Sequence, residues 1–349
     1  MDIAMLKSAT IKNFGPLPSG EYTFAPGLNV VVGENGSGKS QLLKLLYTLL
    51  KVQADSKELN KTMLQKECAD KLVGVFRADA LGRLVTRRQG HDRCEVALSM
   101  QEQKQDLAIS LSTRSSSSVQ IDVLPTTRLE LSPVYLPTRE LLTLCPWFVP
   151  LYDNHHVPFE ESWRDTVSLL GKPALKGKRE AVAAGLLQPL EEVMGGKVVV
   201  DTPSGRFYLQ VPGGGKMEMP LVAEGLRKVA MLARLIATGT LLEQGYLFWD
   251  EPETNLNPKL IRVIARCIML LCQQGIQVFV ATHSLFLLRE LEMLSENAEF
   301  RKVKQRFFAL AANAEGIQLE QGDAVDDLQT LVLLDEELRQ SDRFMGLEG

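Results

Sequence analysis

Cysteine is scarce in this chain of 349 residues. The five present, Cys68, Cys94, Cys145, Cys267 and Cys272, are odd in number and follow no metal-ligand spacing. That excludes a disulfide scaffold and a zinc motif, and predicts buried free thiols in a reducing cytosol. A basic excess is also missing: 39 Lys and Arg face 43 Asp and Glu, for a net charge of −4. Any nucleic-acid surface must then be a local patch. No run reaches the length of apolar sequence a membrane helix needs, and Met1 to Lys7 carry no signal-peptide pattern. A cytoplasmic protein without a membrane partner is expected. Internal repeats and long heptad runs are absent, which excludes a solenoid or a coiled coil. What remains is 45% hydrophobic and 23% charged, an ordinary composition with enough chain for one large domain or two smaller ones.

One segment stands out. Residues 33 to 40 read Gly33-Glu34-Asn35-Gly36-Ser37-Gly38-Lys39-Ser40, a complete G-x-x-x-x-G-K-S phosphate-binding loop. The apolar run Leu28 to Val32 before it reads as a buried strand. Gln41 to Val52 after it carries leucines at helical spacing. Strand, loop and helix together aim backbone N–H groups at phosphates from a helix N-terminus. Lys39 is expected on the β- and γ-phosphates of a nucleoside triphosphate, and Ser40 on Mg²⁺.

A second acidic element complements the first. Gly245 to Pro252 is an apolar strand running into Asp250-Glu251-Pro252. Asp250 at such a strand end is placed to coordinate Mg²⁺, and Glu251 to polarise a water in line with the γ-phosphate. Asn257 and Pro258 read as N-cap and first residue of a helix over 258–273. A further buried strand, Ile276 to Ala281, ends at Thr282-His283-Ser284, where His283 is a candidate γ-phosphate sensor.

Elsewhere the pattern predicts strands over Leu6–Phe14 and Tyr22–Phe24, and a polar helix over 57–73. Alternating runs at Arg93–Met100, Leu107–Ser112 and Val119–Leu124 suggest an antiparallel meander. Pro133–Leu136 reads as another strand. Residues 138–195 read as mostly helical, broken at Pro146, Pro150, Pro158 and Pro173. A hairpin is expected over 197–211, followed by a flexible hinge at Gly213-Gly214-Gly215. His155-His156 lacks a third ligand and reads as a polar loop.

The P-loop, the strand ending Asp-Glu-Pro, the Asn255-Leu256-Asn257-Pro258 turn and Ala281-Thr282-His283-Ser284 together resemble an ATP-binding-cassette ATPase head. Within that group the chain is similar to the RecF/SMC-like and OLD-like "AAA family ATPases", and Lys12-Asn13-Phe14 resembles their N-terminal "NF" element. The resemblance covers residues 5–50 and 220–295. It implies an α/β fold of ABC-ATPase type with a mixed central sheet, an antiparallel β layer and an inserted helical lobe. On this basis 1–54 and 221–300 form the nucleotide-binding core, 55–220 the insertion and 301–349 a C-terminal extension of one head. It also implies ATP and Mg²⁺ as cofactors, with Asn13, Asn35, Gly36, Ser37, Gly38, Lys39, Ser40 and Gln41 at the nucleotide, and Ser40 and Asp250 at the metal. Lys39, Glu251 and His283 would be catalytic.

Such heads dimerise head to tail around two ATP molecules. The signature turn that meets the partner's nucleotide matches Leu221 to Lys228, with a helix running to Leu242. Glu224 and Gly225 would lie there. Ala223 stands where family members usually carry Ser, and Arg227 or Lys228 would compensate for the lost hydroxyl. The Gln linking nucleotide to lobe is not assignable; Arg139 after the Pro133–Leu136 strand either touches the nucleotide or the lobe, or pairs with a surface carboxylate. The implied function is a soluble ATPase that switches a separate effector, a nuclease or toxin, in anti-phage defence or DNA repair, with DNA or RNA as a further partner. The alternatives are the nucleotide-binding subunit of an ABC transporter and a metabolic kinase.

Overall fold

The computed structural model describes residues 5–86, 93–155, 157–175, 180–243, 245–313, 316–330 and 332–346. The chain opens with β1 (Leu6–Lys12), β2 (Gly20–Thr23) and β3 (Leu28–Gly33), then α1 (Lys39–Asp55) and α2 (Lys61–Phe76). Strands β4 (Arg93–Met100), β5 (Leu107–Ser112), β6 (Gln120–Val123) and β7 (Val134–Leu136) follow. The helical segment holds α3 (Phe148–Asn154), α4 (Glu161–Leu170) and α5 (Glu180–Met194). After it come β8 (Lys197–Val200), β9 (Phe207–Gln210) and β10 (Lys216–Glu218). The last part comprises α6 (Glu224–Ala237), β11 (Tyr246–Asp250), α7 (Pro258–Gln273), β12 (Gln277–Thr282), α8 (Leu285–Glu296), β13 (Gln305–Asn313), β14 (Gly316–Gly322) and α9 (Val332–Met345).

A six-stranded sheet in the order β14-β13-β3-β12-β11-β7 organises the molecule. β13, β3, β12, β11 and β7 run parallel, and β14 closes one edge antiparallel to β13. Parallel strands buried on both faces read as apolar runs, as Val30 to Val32 and Tyr246 to Trp249 do. Their side chains alternate between two cores. Leu247, Trp249, Val278 and Val280 face α4 to α8. Tyr246, Phe248, Phe279 and Phe308 face α1 and a second sheet, with the Phe248 and Phe279 rings stacked 4.6 Å apart.

That second sheet is the antiparallel meander β2-β1-β4-β5-β6. Helix α1 lies between the two sheets, which is why Leu42, Leu43, Leu45, Leu46, Leu49 and Leu50 are all buried. Gln277 of β12 fastens the layers: its amide donates to the carbonyls of Leu6 and Ala25 and accepts from the Leu6 N–H.

Several local expectations shift for identifiable reasons. α2 starts later than expected because Asn60 caps it, accepting from Met63 N–H at 2.8 Å. Pro150 does not interrupt α3; it sits in the first turn, where its missing N–H has no intrahelical partner to lose. α6 ends at Ala237 rather than Leu242, and Gly239 follows with φ +74°. Gly213 to Gly215 are not a hinge but the turn of the β9–β10 hairpin, closed by Val211 N–H donating to the Gly215 carbonyl. The C-terminal stretch beyond residue 300 supplies β13 and β14 to the central sheet. Among the described residues no helix is long and apolar enough to cross a membrane.

Candidate functional site

β3 delivers the chain to the glycine loop at the C-terminal edge of the central sheet, and α1 begins at Lys39. Gly38 takes the N-cap position with φ +98°, a left-handed conformation that a side chain resists, and it gives α1 no side-chain cap. The first N–H groups of α1 are therefore available to an anion. Asn35 and Gly36 form the exposed tip, and Ser37 and Lys39 are buried. The Lys39 ammonium lies across the loop, donating to the carbonyls of Gly33 (2.8 Å) and Glu34 (2.9 Å). Burial lowers its pKa, opposed by Glu251, Asp250, Glu253 and Glu34. The Ser37 hydroxyl is buried with no partner among the described residues.

Parallel pairing of β3, β12 and β11 brings the ends of these strands together. Ser40 Oγ donates to Asp250 Oδ1 at 2.9 Å across 210 residues of sequence. The Tyr135 hydroxyl on β7 donates to Asp250 Oδ2 at 3.3 Å. Asp250 is 6% exposed. Burial raises its pKa, the Ser40 hydrogen bond opposes that, and the Glu251 charge raises it further.

Glu251 has φ +45°, and its N–H donates to the Ala281 carbonyl on β12. Its carboxylate lies 3.1 Å from His283 Nδ1 and accepts from the Thr254 hydroxyl at 3.3 Å. The His283 ring is exposed. Glu253, which sequence analysis does not single out, is buried behind this pair. One of its oxygens accepts from the Thr282 hydroxyl at 2.5 Å and the His283 N–H at 3.4 Å, while the other has no partner among the described residues.

The turn before α6 presents Leu221, Ala223 and Glu224 at the surface, and Ala223 is the N-cap without a side-chain bond. Gly225 is buried against the carbonyl of Asn255. Arg227 and Lys228 are not free to stand in for the missing hydroxyl at position 223. Arg227 donates to the Val222 and Pro220 carbonyls, and its Nε lies 3.0 Å from buried Glu140, out of hydrogen-bond alignment. Lys228 points inward to the Glu251 carbonyl.

Two family profiles match the chain. Residues 5–126 match "AAA ATPase domain", and residues 138–289 match "AAA domain, putative AbiEii toxin, Type IV TA system". No curated protein sequence matches. Among solved structures, the chain is similar to an SMC head bound to the C-terminal winged-helix domain of ScpA, at 13% identity and TM-score 0.57, covering 93% of this chain and all of that one. The SMC head domain from Thermotoga maritima matches at 14% identity and TM-score 0.51, covering 92% and 100%. An SMC head with an extended coiled coil, bound to the C-terminal domain of ScpA from Pyrococcus furiosus, matches at 11% identity and TM-score 0.56, covering 96% and 100%. The fold is that of an ABC/SMC-like AAA ATPase.

Beside the glycine loop lies a cleft of about 770 Å³ between the loop after β1 and the β13–β14 hairpin. Asn13, Pro16, Leu17, Thr86, Ile317 and Leu319 are among its walls. Leu17 and Pro16 pack at Gly38, and Gln41 reaches toward Gly15, so cleft and glycine loop adjoin. Asn13 has φ +54° and spends its amide on the Arg93 carbonyl at 3.0 Å.

In the helical segment, α4 is pinned to α1 and α2. Tyr47 donates to Asp165 at 2.6 Å, Lys44 pairs with Glu160, and Lys71 bridges Asp165 and Glu161. Arg139 is exposed and takes no part in these contacts. Tyr135, in the middle of β7 and four residues before Arg139, is the group that reaches Asp250. His155 closes α3, and His156 lies outside the described residues. No metal-ligating cluster occurs among the described residues.

Proposed function

We propose that this head binds ATP with Mg²⁺, hydrolyses it, and uses an ATP-held dimer to switch a separate effector protein. The observation that carries this reading is the meeting of Ser40 and Asp250 at 2.9 Å beside the buried Lys39 ammonium. A hydroxyl and a carboxylate in contact at a strand edge, next to a helix N-terminus with uncapped N–H groups, form a donor set suited to a hard cation carrying phosphates.

The residues fit ATP and Mg²⁺. The orphaned Ser37 hydroxyl and the free N–H groups of α1 are donors with no acceptor, as a triphosphate requires. Lys39 would exchange its two loop carbonyls for phosphate oxygens. Ser40 and Asp250 would hold Mg²⁺, which when bound screens phosphate charge. The cleft walled by Asn13 and Leu17 would take the base, and Gln41, which reaches Gly15 at the cleft wall, would contact the nucleotide there. Glu251 would accept the proton of the attacking water, and His283, hydrogen-bonded to it, would orient that carboxylate and contact the γ-phosphate.

The exposed turn Leu221–Glu224 is the surface we assign to the second head's nucleotide, with backbone N–H groups at the start of α6 as the donors. An effector reading draws on the toxin named in the matching family and on the ScpA domains bound to the SMC heads. By this reading the protein acts in the cytoplasm in anti-phage defence or DNA repair, alongside DNA or RNA.

Isothermal titration of wild type and Lys39→Ala with ATP-Mg²⁺ tests the site: binding is expected only in the wild type, and retained micromolar affinity in the variant would remove the P-loop assignment. Affinity purification of Glu251→Gln with ATP present tests the partner. A stoichiometric nuclease or toxin supports the effector switch, and a membrane permease would identify a transport subunit instead.

A further inference from the structure

Lys228 lies on the second turn of α6 and is 2% exposed. Its ammonium forms no ion pair among the described residues. It donates instead to the main-chain carbonyl of Glu251 at 2.6 Å, with a longer contact to that of Thr254 at 3.5 Å. A buried cation held by carbonyls alone is an expensive way to fill space. Burial lowers its pKa to about 8, opposed by Glu253, Glu251, Asp250 and Glu224.

The segment it grips is unusual. Glu251 and Asn255 both adopt positive φ without being glycine, at +45° and +64°. Such conformations persist only where surrounding contacts impose them. The Glu251 carbonyl accepts from the Thr254 N–H as well as from Lys228, and Leu256 N–H donates to Glu253. Three residues before Lys228, on the same face of α6, Gly225 rests against the carbonyl of Asn255. One face of α6 thus holds both ends of the 251–255 turn, while the start of the same helix, Ala223 and Glu224, is exposed.

We propose that Lys228 is a positioning residue that ties the exposed first turn of α6 to Glu251, so that a triphosphate docking on Ala223–Glu224 is felt at the Glu251 carboxylate of the same head. Its effect on turnover rests on the ATPase reading; the link itself does not.

Lys228→Met removes the donor at similar volume, and Lys228→Arg keeps donors. Hydrogen exchange without nucleotide reads the link directly. In Lys228→Met the amides of 251–256 are expected to exchange at least about tenfold faster, the factor that follows from losing one charge-assisted hydrogen bond. With ATP, turnover of Lys228→Met is expected to fall about 10- to 100-fold, as for a misplaced catalytic group. Affinity for a fluorescent ATP analogue should stay at the wild-type value, and Lys228→Arg should recover part of the rate. Unchanged exchange over 251–256, an unchanged kcat, or an equal loss of affinity and turnover would each overturn the proposal. Were Lys228→Met unfolded, Lys228→Gln carries the same outcomes. A wild-type protein without ATP turnover would fail the ATPase reading, and the exchange result would still decide the link.

Discussion

A Cβ at Gly225 would lie 2.4 Å from the carbonyl oxygen of Asn255. Gly225 therefore answers first to its own chain, where α6 must come this close to the turn that follows Glu251. A Gly to Ala change in a helix ordinarily stabilises by about 0.5–1 kcal/mol. Here the contact is with backbone, and Gly225→Ala is expected to destabilise by about 1–3 kcal/mol instead. Thermal melting checks the sign. A melting temperature at or above wild type would remove the steric account. For the same reason, a bulky substitution such as Gly225→Glu is not a clean probe of dimer formation.

Ala223 is the better probe. It is exposed and caps α6 without a side-chain acceptor. Ala223→Ser should add about 0.5–2 kcal/mol through a hydroxyl bond to the next turn's N–H groups. It should also strengthen ATP-dependent association measured by light scattering. A rise in melting temperature with no change in association would separate the capping role from the signature role.

Glu251→Gln keeps the size of the side chain but removes the proton acceptor. ATP binding should persist, while kcat falls at least about tenfold, the lower range for losing a general base. A single-turnover assay with the wild-type rate would take Glu251 out of that role.

Asp250 binds its proton more tightly in the folded chain than in the unfolded one, because burial disfavours the carboxylate and the Ser40 hydrogen bond offsets only part of that. A raised acid pKa lowers stability as pH climbs from the unfolded value through the folded one. Asp250→Asn should therefore melt higher than wild type at neutral pH in chelator, with the gain shrinking as pH falls into and below the ordinary carboxylate range. ATP hydrolysis should be lost in the same variant. Parallel melting curves at every pH would show that the buried carboxylate carries no stability cost.

The sequence by itself determined what consecutive residues can specify. A phosphate loop is one of these, because neighbouring backbone N–H groups and a single helix start form it. So are the α7 cap, where the Asn257 side chain accepts from Leu260 N–H, and the buried strands β3, β11 and β12. Tertiary structure decided what pairing between distant strands and helices brings together. Residues 305–322 carry no strand in the sequence reading, yet β13 lies beside β3, because its partners lie far away in the chain. Tyr135 meets Asp250, and Glu253 meets Thr282, only through the parallel register of β7, β11 and β12. Lys228 reads in the sequence as a lysine that could replace the hydroxyl missing at position 223, until α6 packs against the Glu251 turn and turns it inward. Local chemistry named the ligand class, and long-range packing chose which side chains hold the groups that would act on it.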